Sequence, residues 1–188
     1  MLLAIDVGNT QTVIGVFDGP RLASHWRLST ASDRTHDEYR VWLRGILELE
    51  GLRPADLTGV AISSVVPLAT AALRDIGPEL ATGPTVVVEP GIKTGIPILM
   101  DNPAEVGADR VVNSVAALHR YGCPVIVVDF GTATTFDIVG DGGAYVGGVI
   151  APGLEVSLDA LIAATAALRR VELRPPRSAV GKNTVEAI

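Results

Sequence analysis

The chain of 188 residues contains one short pattern twice, and this internal repeat constrains its fold more than any other feature. Residues 2–19 read LLAIDVGNTQTVIGVFDG, and residues 125–142 read VIVVDFGTATTFDIVGDG. A constant offset of 123 residues (129 − 6 = 123) aligns Asp6 with Asp129. Each copy has an apolar run, one carboxylate, a glycine among hydroxyl or amide side chains, and a second apolar run. The repeat predicts two copies of one strand–turn–strand hairpin.

The turn of each hairpin has the chemistry of a phosphate site. The same offset aligns Gly8 with Gly131 and Thr12 with Thr135. Glycine lets backbone N–H groups approach a phosphate, hydroxyls donate to it, and the carboxylate can hold a hydrated cation that bridges its oxygens. A single Asp at a strand end often only bonds its own backbone. Because the arrangement occurs twice, we favour two hairpins that clamp a nucleotide polyphosphate from both sides.

Hydrophobic periodicity and capping signals predict alternating helices and strands between the two repeats. The predicted helices cover about 35–50, 67–80, 107–120 and 155–169, and the strands cover about 2–6, 11–17, 21–29, 60–64 and 85–89 and the second repeat. Thr35 and Glu38 have the spacing of a capping box, and the predicted core positions of that helix are Val41, Trp42, Ile46 and Leu49.

The order of elements predicts an α/β protein of two related domains, residues 1–117 and 118–188, with a ligand cleft between them. Residues 129–188 form a much shorter stretch than residues 1–128, so we expect the second domain to be truncated.

Composition argues against several classes of function. The net charge of −6 argues against a nucleic-acid partner, which would need a basic face. No apolar run approaches the roughly 18 residues that span a bilayer, so no membrane partner is expected. The single Cys123 excludes an internal disulfide and a cysteine-based metal site, and it indicates a reducing cytoplasmic location.

The helix predicted near residue 107 begins with a second group of candidate residues. Asp109 lies on its first turn, where the helix dipole favours a carboxylate whatever its function. Asp109 and Asn113 are four residues apart and share one face, which makes a polar stripe beside an apolar side. Arg110 could bind the carboxylate of an acidic substrate through two hydrogen bonds, although a surface position is the commoner fate of arginine.

Six segments in this order resemble the type III pantothenate kinases, which belong to the superfamily of acetate kinase, sugar kinases, Hsp70 and actin. The segments are DVGNT at 6–10, SSVVP at 63–67, DNPAEVGADR at 101–110, DFGTATTFD at 129–137, GGVIAPG at 147–153 and GKNT at 181–184. The resemblance implies two related domains of the actin and ribonuclease H type with mixed sheets. It also implies a homodimer.

The resemblance implies an enzyme that uses ATP to phosphorylate the primary hydroxyl of pantothenate, the first step toward coenzyme A. The ATP contacts it implies are Asp6, Val7, Gly8, Asn9, Thr10, Gln11, Thr12, Val13 and Thr132. Asp129 matches a position that holds a monovalent cation, K⁺ or NH₄⁺, and Mg²⁺ accompanies the nucleotide. The pantothenate contacts it implies are Gly107, Ala108, Asp109, Arg110 and Thr184, with Asp109 as the general base.

Two other interpretations stay open at this point. A phosphotransferase of the same superfamily that acts on polyphosphate or a sugar would keep both hairpins. A nucleotide-binding regulator that has lost catalysis would keep the fold. The retained carboxylates of Asp6, Asp109 and Asp129 count against the regulator, whereas a truncated second domain counts in its favour.

Overall fold

The computed structural model describes residues 1–188 as two β-sheets connected through a helix. The first sheet has the strand order β3-β2-β1-β4-β5. Strands β1 to β3 are antiparallel neighbours, whereas β4 and β5 run parallel to β1. Its strands are β1 Leu2–Val7, β2 Gln11–Asp18, β3 Arg21–Ser29, β4 Gly59–Ser64 and β5 Thr85–Val88. This mixed sheet confirms the ribonuclease H type of fold for the first unit.

Helices α1 (His36–Leu49) and α2 (Pro67–Leu80) supply most of the remaining residues of the large core beside the first sheet. The capping box at Thr35 and Glu38 is present, with both reciprocal hydrogen bonds. Gly51 follows α1 with a positive φ of 70°, a conformation that favours glycine. Nineteen buried apolar residues form this core, so α1 and α2 fix the first sheet from its inner side.

The core face predicted for α1 is partly wrong. Val41 and Leu49 are 72% and 84% exposed, whereas Ile46 is buried and Trp42 packs at the edge of the core. The residues that α1 buries are Tyr39, Leu43, Ile46 and Leu47. Two apolar stripes run along this helix, and packing against α2 decides which of them faces inward.

The second sheet contains three antiparallel strands in the order β6-β7-β8. The strands are β6 Val125–Phe130, β7 Ala133–Val139 and β8 Tyr145–Pro152. Helix α3 (Ala108–Tyr121) precedes them and packs against β4 of the first sheet and against β6 and β7 of the second. The structure thus repeats the first three strands, as predicted, and the domain boundary at 117/118 stays a prediction.

Helices α4 (Leu154–Ala164) and α5 (Thr184–Ala187) complete the chain. Helix α4 ends five residues before the predicted position, because Thr165 takes an extended conformation. The Thr165 hydroxyl donates to the carbonyl oxygen of Leu161 at that end. Single turns of 3₁₀-helix occur at Pro54–Asp56 and Pro103–Glu105. No helix in the structure combines the length and the apolar character needed to cross a bilayer.

The two hairpins differ by one residue in their turns. Val7 lies opposite Thr12 in the first hairpin, whereas Phe130 lies opposite Thr134 in the second. The first turn therefore has three residues between its strands and the second has two. The constant offset fails beyond the turn, and the structural equivalent of Thr12 is Thr134 rather than Thr135.

Candidate active site

The turns of the two hairpins meet in space. The hydroxyls of Thr10 and Thr132 lie 2.7 Å apart and share a hydrogen bond. Each turn is closed by its glycine, because the Gly8 N–H donates to the Gln11 carbonyl and the Gly131 N–H donates to the Ala133 carbonyl, both at 2.9 Å. The predicted arrangement of two facing hairpins is therefore present, with hydroxyls and backbone N–H groups at the junction.

The first turn is stabilised by hydrogen bonds from Thr30, which directly follows β3. The Thr30 hydroxyl donates to the Gly8 carbonyl at 2.8 Å and shares a hydrogen bond with the Thr12 hydroxyl at 2.9 Å. Thr12 and Val7 are both about 1% exposed, so their side chains support the turn from inside. The exposed side chains of this turn are Asn9, Thr10 and Gln11, together with Asp6 at the end of β1.

Three carboxylates lie at the junction of the two sheets. Asp6 is the penultimate residue of β1, Asp129 stands at the equivalent position of β6, and Asp109 lies on the first turn of α3. The pKa of Asp6 is raised because the surrounding protein limits its hydration, and the nearby charges of Asp109 and Asp129 raise it further. The Ser63 hydroxyl, which lies beside Asp6 on β4, opposes this shift. Three acidic groups in one cleft form a strongly anionic site.

The start of α3 gives Asp109 its orientation. Gly107 is the N-cap, and its lack of a side chain leaves room for the carboxylate of Asp109. A β-carbon at position 107 would lie only 2.6 Å from Oδ1 of Asp109. Oδ1 of Asp109 also accepts a hydrogen bond of 2.7 Å from the backbone N–H of Arg110. One turn later on the same face, the Asn113 side chain donates to Asp129 at 3.4 Å. Asp109 is half-buried, so its carboxylate remains open to the cleft.

Arg110, whose side chain is 14% exposed, forms an ion pair that could not be assigned from the sequence. Its Nε donates to Oδ1 of Asp137 at 2.6 Å, and the Asp137 side chain is fully buried. The Tyr145 hydroxyl donates to the same oxygen at 2.9 Å. The only available signal was a carboxylate within a strand otherwise composed of apolar and hydroxyl residues, and nothing in the sequence showed its partner.

A cavity of about 410 Å³ adjoins the start of α3. It lies between the ends of β4 and β5, the loop before α3 and the first turns of α3. Apolar side chains form much of its wall, with a few hydroxyl and amide groups and the carboxylate of Glu89. Its lining includes Ser64, Val88, Asn102, Val106, Ala108 and Val111. Ala108 directly precedes Asp109, so the cavity and the anionic cleft are neighbours.

Thr184 is not brought to the other predicted site residues by any hydrogen bond of the chain. It is exposed at the start of α5, where Asn183 caps the helix. No group of three or more His, Cys, Asp or Glu side chains is arranged to hold a metal ion. A cation in the cleft would therefore need ligands beyond the protein carboxylates.

The chain is similar over its whole length to proteins of one family. The family described as type III pantothenate kinase matches residues 2–188. A type III pantothenate kinase from Streptomyces griseus is 55% identical, over 100% of this chain and 73% of its own length.

Solved structures with low sequence identity have a similar fold. A Campylobacter jejuni protein assigned to the Baf family of transcriptional activators has a TM-score of 0.56 at 18% identity, covering 98% of this chain and 70% of that one. A 2-dehydro-3-deoxygalactonokinase from Sinorhizobium meliloti has a TM-score of 0.50 at 12% identity, covering 89% and 58%. These structures support the fold alone. The match along the whole chain and the identity to the Streptomyces enzyme show that this chain belongs to the type III pantothenate kinase family.

Proposed function

We propose that this chain transfers the γ-phosphoryl group of ATP to the primary hydroxyl of pantothenate, which is the first step of coenzyme A biosynthesis. The observation that carries the proposal is the junction of the two hairpins beside Asp109, in a chain that matches the family from residue 2 to residue 188. A catalytically impaired regulator is not favoured, because the curated relatives are named as kinases.

The two facing turns are the proposed site of the ATP phosphates. The exposed side chains of Asn9, Thr10 and Gln11 and the hydroxyl of Thr132 are the donors that support this assignment. The remaining residues of the proposed ATP site are Asp6, Val7, Gly8, Thr12 and Val13. Since Val7 and Thr12 are buried, their contribution is the shape of the turn and their backbone groups.

The carboxylates of the anionic cleft suit the cations that accompany a nucleoside triphosphate. Magnesium is usually held by one or two carboxylates together with substrate phosphates, and Asp6 offers a carboxylate of this kind. The exposed carboxylate of Asp129 is the proposed ligand of a monovalent cation, K⁺ or NH₄⁺. Bound cations would neutralise phosphate charge and relieve the repulsion from Asp109 and Asp129, which adds to the effect of burial in raising the pKa of Asp6.

The proposed acceptor site is the segment Gly107–Arg110 with the cavity beside it. Its partly apolar wall suits the branched carbon chain of pantothenate. Arg110 is not among the residues that line the cavity and its Nε is engaged by Asp137, so Nη1 is the donor that it would offer to an oxygen of the acceptor. Thr184 is the further proposed contact, reached in a homodimer. The exposed apolar side chains of the second sheet, such as Ile126 and Phe130 (61% and 72%), are consistent with such an assembly.

Phosphoryl transfer depends mainly on positioning and on neutralising charge, because the transition state is loose. Asp109 would accept a hydrogen bond from the acceptor hydroxyl, orient it toward the γ-phosphorus and take its proton as the new bond forms. Asn113 keeps Asp129 beside the same face of α3. The N–H groups of Asn9, Thr10 and Thr132 do not donate to any backbone carbonyl, and they would hold the phosphates in line with the attacking oxygen.

The test is mass-spectrometric detection of 4′-phosphopantothenate from purified protein with pantothenate and Mg-ATP. The reaction is run in potassium and in sodium at equal ionic strength, beside parallel reactions with a sugar panel and with polyphosphate. Product that forms from pantothenate and depends on potassium supports both the acceptor and the cation. Folded protein that yields no product in either salt contradicts the proposal, and product from a sugar alone would indicate another phosphotransferase.

A further inference from the structure

The most deeply buried carboxylate of the chain has no part in the chemistry described so far. Asp137, in the middle of β7, is 0% exposed. Its Oδ1 accepts hydrogen bonds from Nε of Arg110 and from the Tyr145 hydroxyl, and its Oδ2 accepts one of 3.3 Å from the Thr135 hydroxyl. A buried charge is costly unless it is paired and fully hydrogen-bonded, and Asp137 meets both conditions.

The guanidinium of Arg110 is held on two sides. Nε is used by Asp137, and Nη2 is buried without a partner. A β-carbon at position 148 would collide with Nη2, so the absence of a side chain at Gly148 gives the guanidinium its place. Nη1 makes no hydrogen bond to the protein, which leaves it as the donor available to a ligand.

Tyr145 joins the same cluster to the loop that leads into α3. Its side chain is 1% exposed, and its ring lies 5.9 Å from the guanidinium carbon of Arg110. Its backbone N–H donates to the Pro97 carbonyl at 2.9 Å, and its carbonyl accepts from the Leu99 N–H at 2.8 Å. The loop before Asp109 and the residue after it are therefore both attached to β7 and β8.

We propose that Asp137 and Tyr145 are positioning residues for the acceptor, which fix the guanidinium of Arg110 and thereby hold the Gly107–Arg110 segment against the second hairpin. The inference rests on the proposed function. It adds that the second sheet, which carries Asp129 and Thr132, also sets the geometry of the acceptor site.

The test is a double-mutant cycle on the kinetics of pantothenate phosphorylation with the full chain. The variants are Asp137→Asn, Arg110→Lys and the two combined, each confirmed as folded by circular dichroism. We expect Asp137→Asn to raise the KM for pantothenate roughly 10-fold or more while the KM for ATP changes less than about twofold. The double variant should be no worse than the poorer single variant, because both changes remove one interaction.

Additive effects of the two substitutions, or a parallel rise of both KM values, would overturn the inference, since either result indicates a structural role. If Asp137→Asn does not fold, Tyr145→Phe carries the same test. It removes one hydroxyl and keeps the ring, and we expect a rise of roughly 2- to 10-fold in the pantothenate KM alone. An unchanged KM in that variant would also overturn the inference.

A matched control is Asp18→Asn, which removes the acidic partner of an exposed ion pair with Arg21 at the far end of β2. Its KM values should equal those of the wild type. The wild-type reaction separates the two levels of the argument. A wild-type chain that does not phosphorylate pantothenate refutes the proposed function and the inference together, whereas an active wild type with an additive cycle refutes the inference alone.

Discussion

The two hairpins share one sequence pattern but are packed in opposite ways. Leu3 and Val7 of β1 are 0% and 1% exposed, whereas their equivalents Ile126 and Phe130 of β6 are 61% and 72% exposed. In the first unit, helices α1 and α2 share the large core with this sheet. The comparison teaches that the local pattern determines strands and turns, while burial depends on which helices reach them.

The two halves also differ in the kind of contact that attaches each hairpin to the rest of the chain. The first hairpin belongs to a core of 19 apolar residues, whereas the buried cluster beside the second contains only Val106, Val111 and Tyr145. Polar contacts supply much of the attachment of the second hairpin, through Asp137 and its partners. One side of the cleft is thus an apolar scaffold, and the other depends on buried charge.

The largest expected effect separates the two halves by stability. Leu3→Ala opens a void in the large core and should lower the free energy of unfolding by about 2–5 kcal/mol. Ile126→Ala, at the equivalent position, should change it by less than about 0.5 kcal/mol at protein concentrations that keep the chain monomeric, because the side chain is then mostly exposed. Urea unfolding of both variants measures the difference, and equal losses would contradict the packing contrast.

Asp109 lies between the halves, so its replacement tests whether their junction is the catalytic site. Asp109→Asn should lower turnover by roughly 10²-fold or more, since the acceptor hydroxyl loses its proton acceptor. The KM for ATP should change less than about twofold, because the turns proposed to bind the phosphates are intact. Steady-state kinetics beside Asp18→Asn provide the measurement, and near-normal turnover would remove Asp109 from the chemistry.

The equivalent carboxylates Asp6 and Asp129 should respond differently to potassium. Asp129→Asn should raise the potassium concentration for half-maximal activity roughly tenfold, because a charged ligand is lost. Asp6→Asn should lower turnover at every potassium concentration without moving that midpoint. Rates measured over a potassium series distinguish the two, and equal midpoints in all three proteins would remove the cation from Asp129.

The smallest effect concerns one buried tyrosine from each half. The hydroxyl of Tyr39 is buried without a partner, so Tyr39→Phe should be neutral or stabilising at pH 8. Tyr145→Phe should lose about 1 kcal/mol there, because the hydroxyl donates to Asp137. Thermal or urea unfolding at pH 8 measures both changes, and equal losses in the two variants would count against the polar attachment of the second hairpin.

The effect of Tyr145 should also depend on pH. Burial, with help from Asp137, raises the pKa of Tyr145 to about 12, while an unfolded tyrosine ionises near pH 10. A raised pKa in the folded state means that this stabilisation is complete below about pH 10 and is lost as the pH rises toward 12. The stability gap between wild type and Tyr145→Phe should therefore shrink over that interval, and a constant gap would contradict the raised pKa.

Much of the fold could be predicted because its signals are local. The capping box at Thr35 and the apolar runs around the two turns depend only on neighbouring residues. The core positions of α1 were less predictable, since Val41 and Leu49 also fall at helical spacing and only tertiary packing excludes them.

The candidate site shows the same limit. The repeat predicted that two hairpins face each other, and Thr10 and Thr132 do meet. The ion pair between Arg110 and Asp137 joins residues 27 positions apart on a helix and a strand, and no periodicity connects such positions. The one-residue difference between the turns was also invisible, because the aligned letters look alike on both sides of the turn.

The hydrogen bond between Thr10 and Thr132 has a consequence for ligand binding to the cleft and for ligand release. Each hydroxyl has a single proton to donate, and in this state one of the two hydroxyls donates its proton to the other. A polyphosphate bound at the proposed site would compete for that proton with charged oxygens, which make stronger hydrogen bonds than a neutral hydroxyl does. After such a ligand dissociated, the two hydroxyls would pair again, so at least one of the two donors would be hydrogen-bonded in either state.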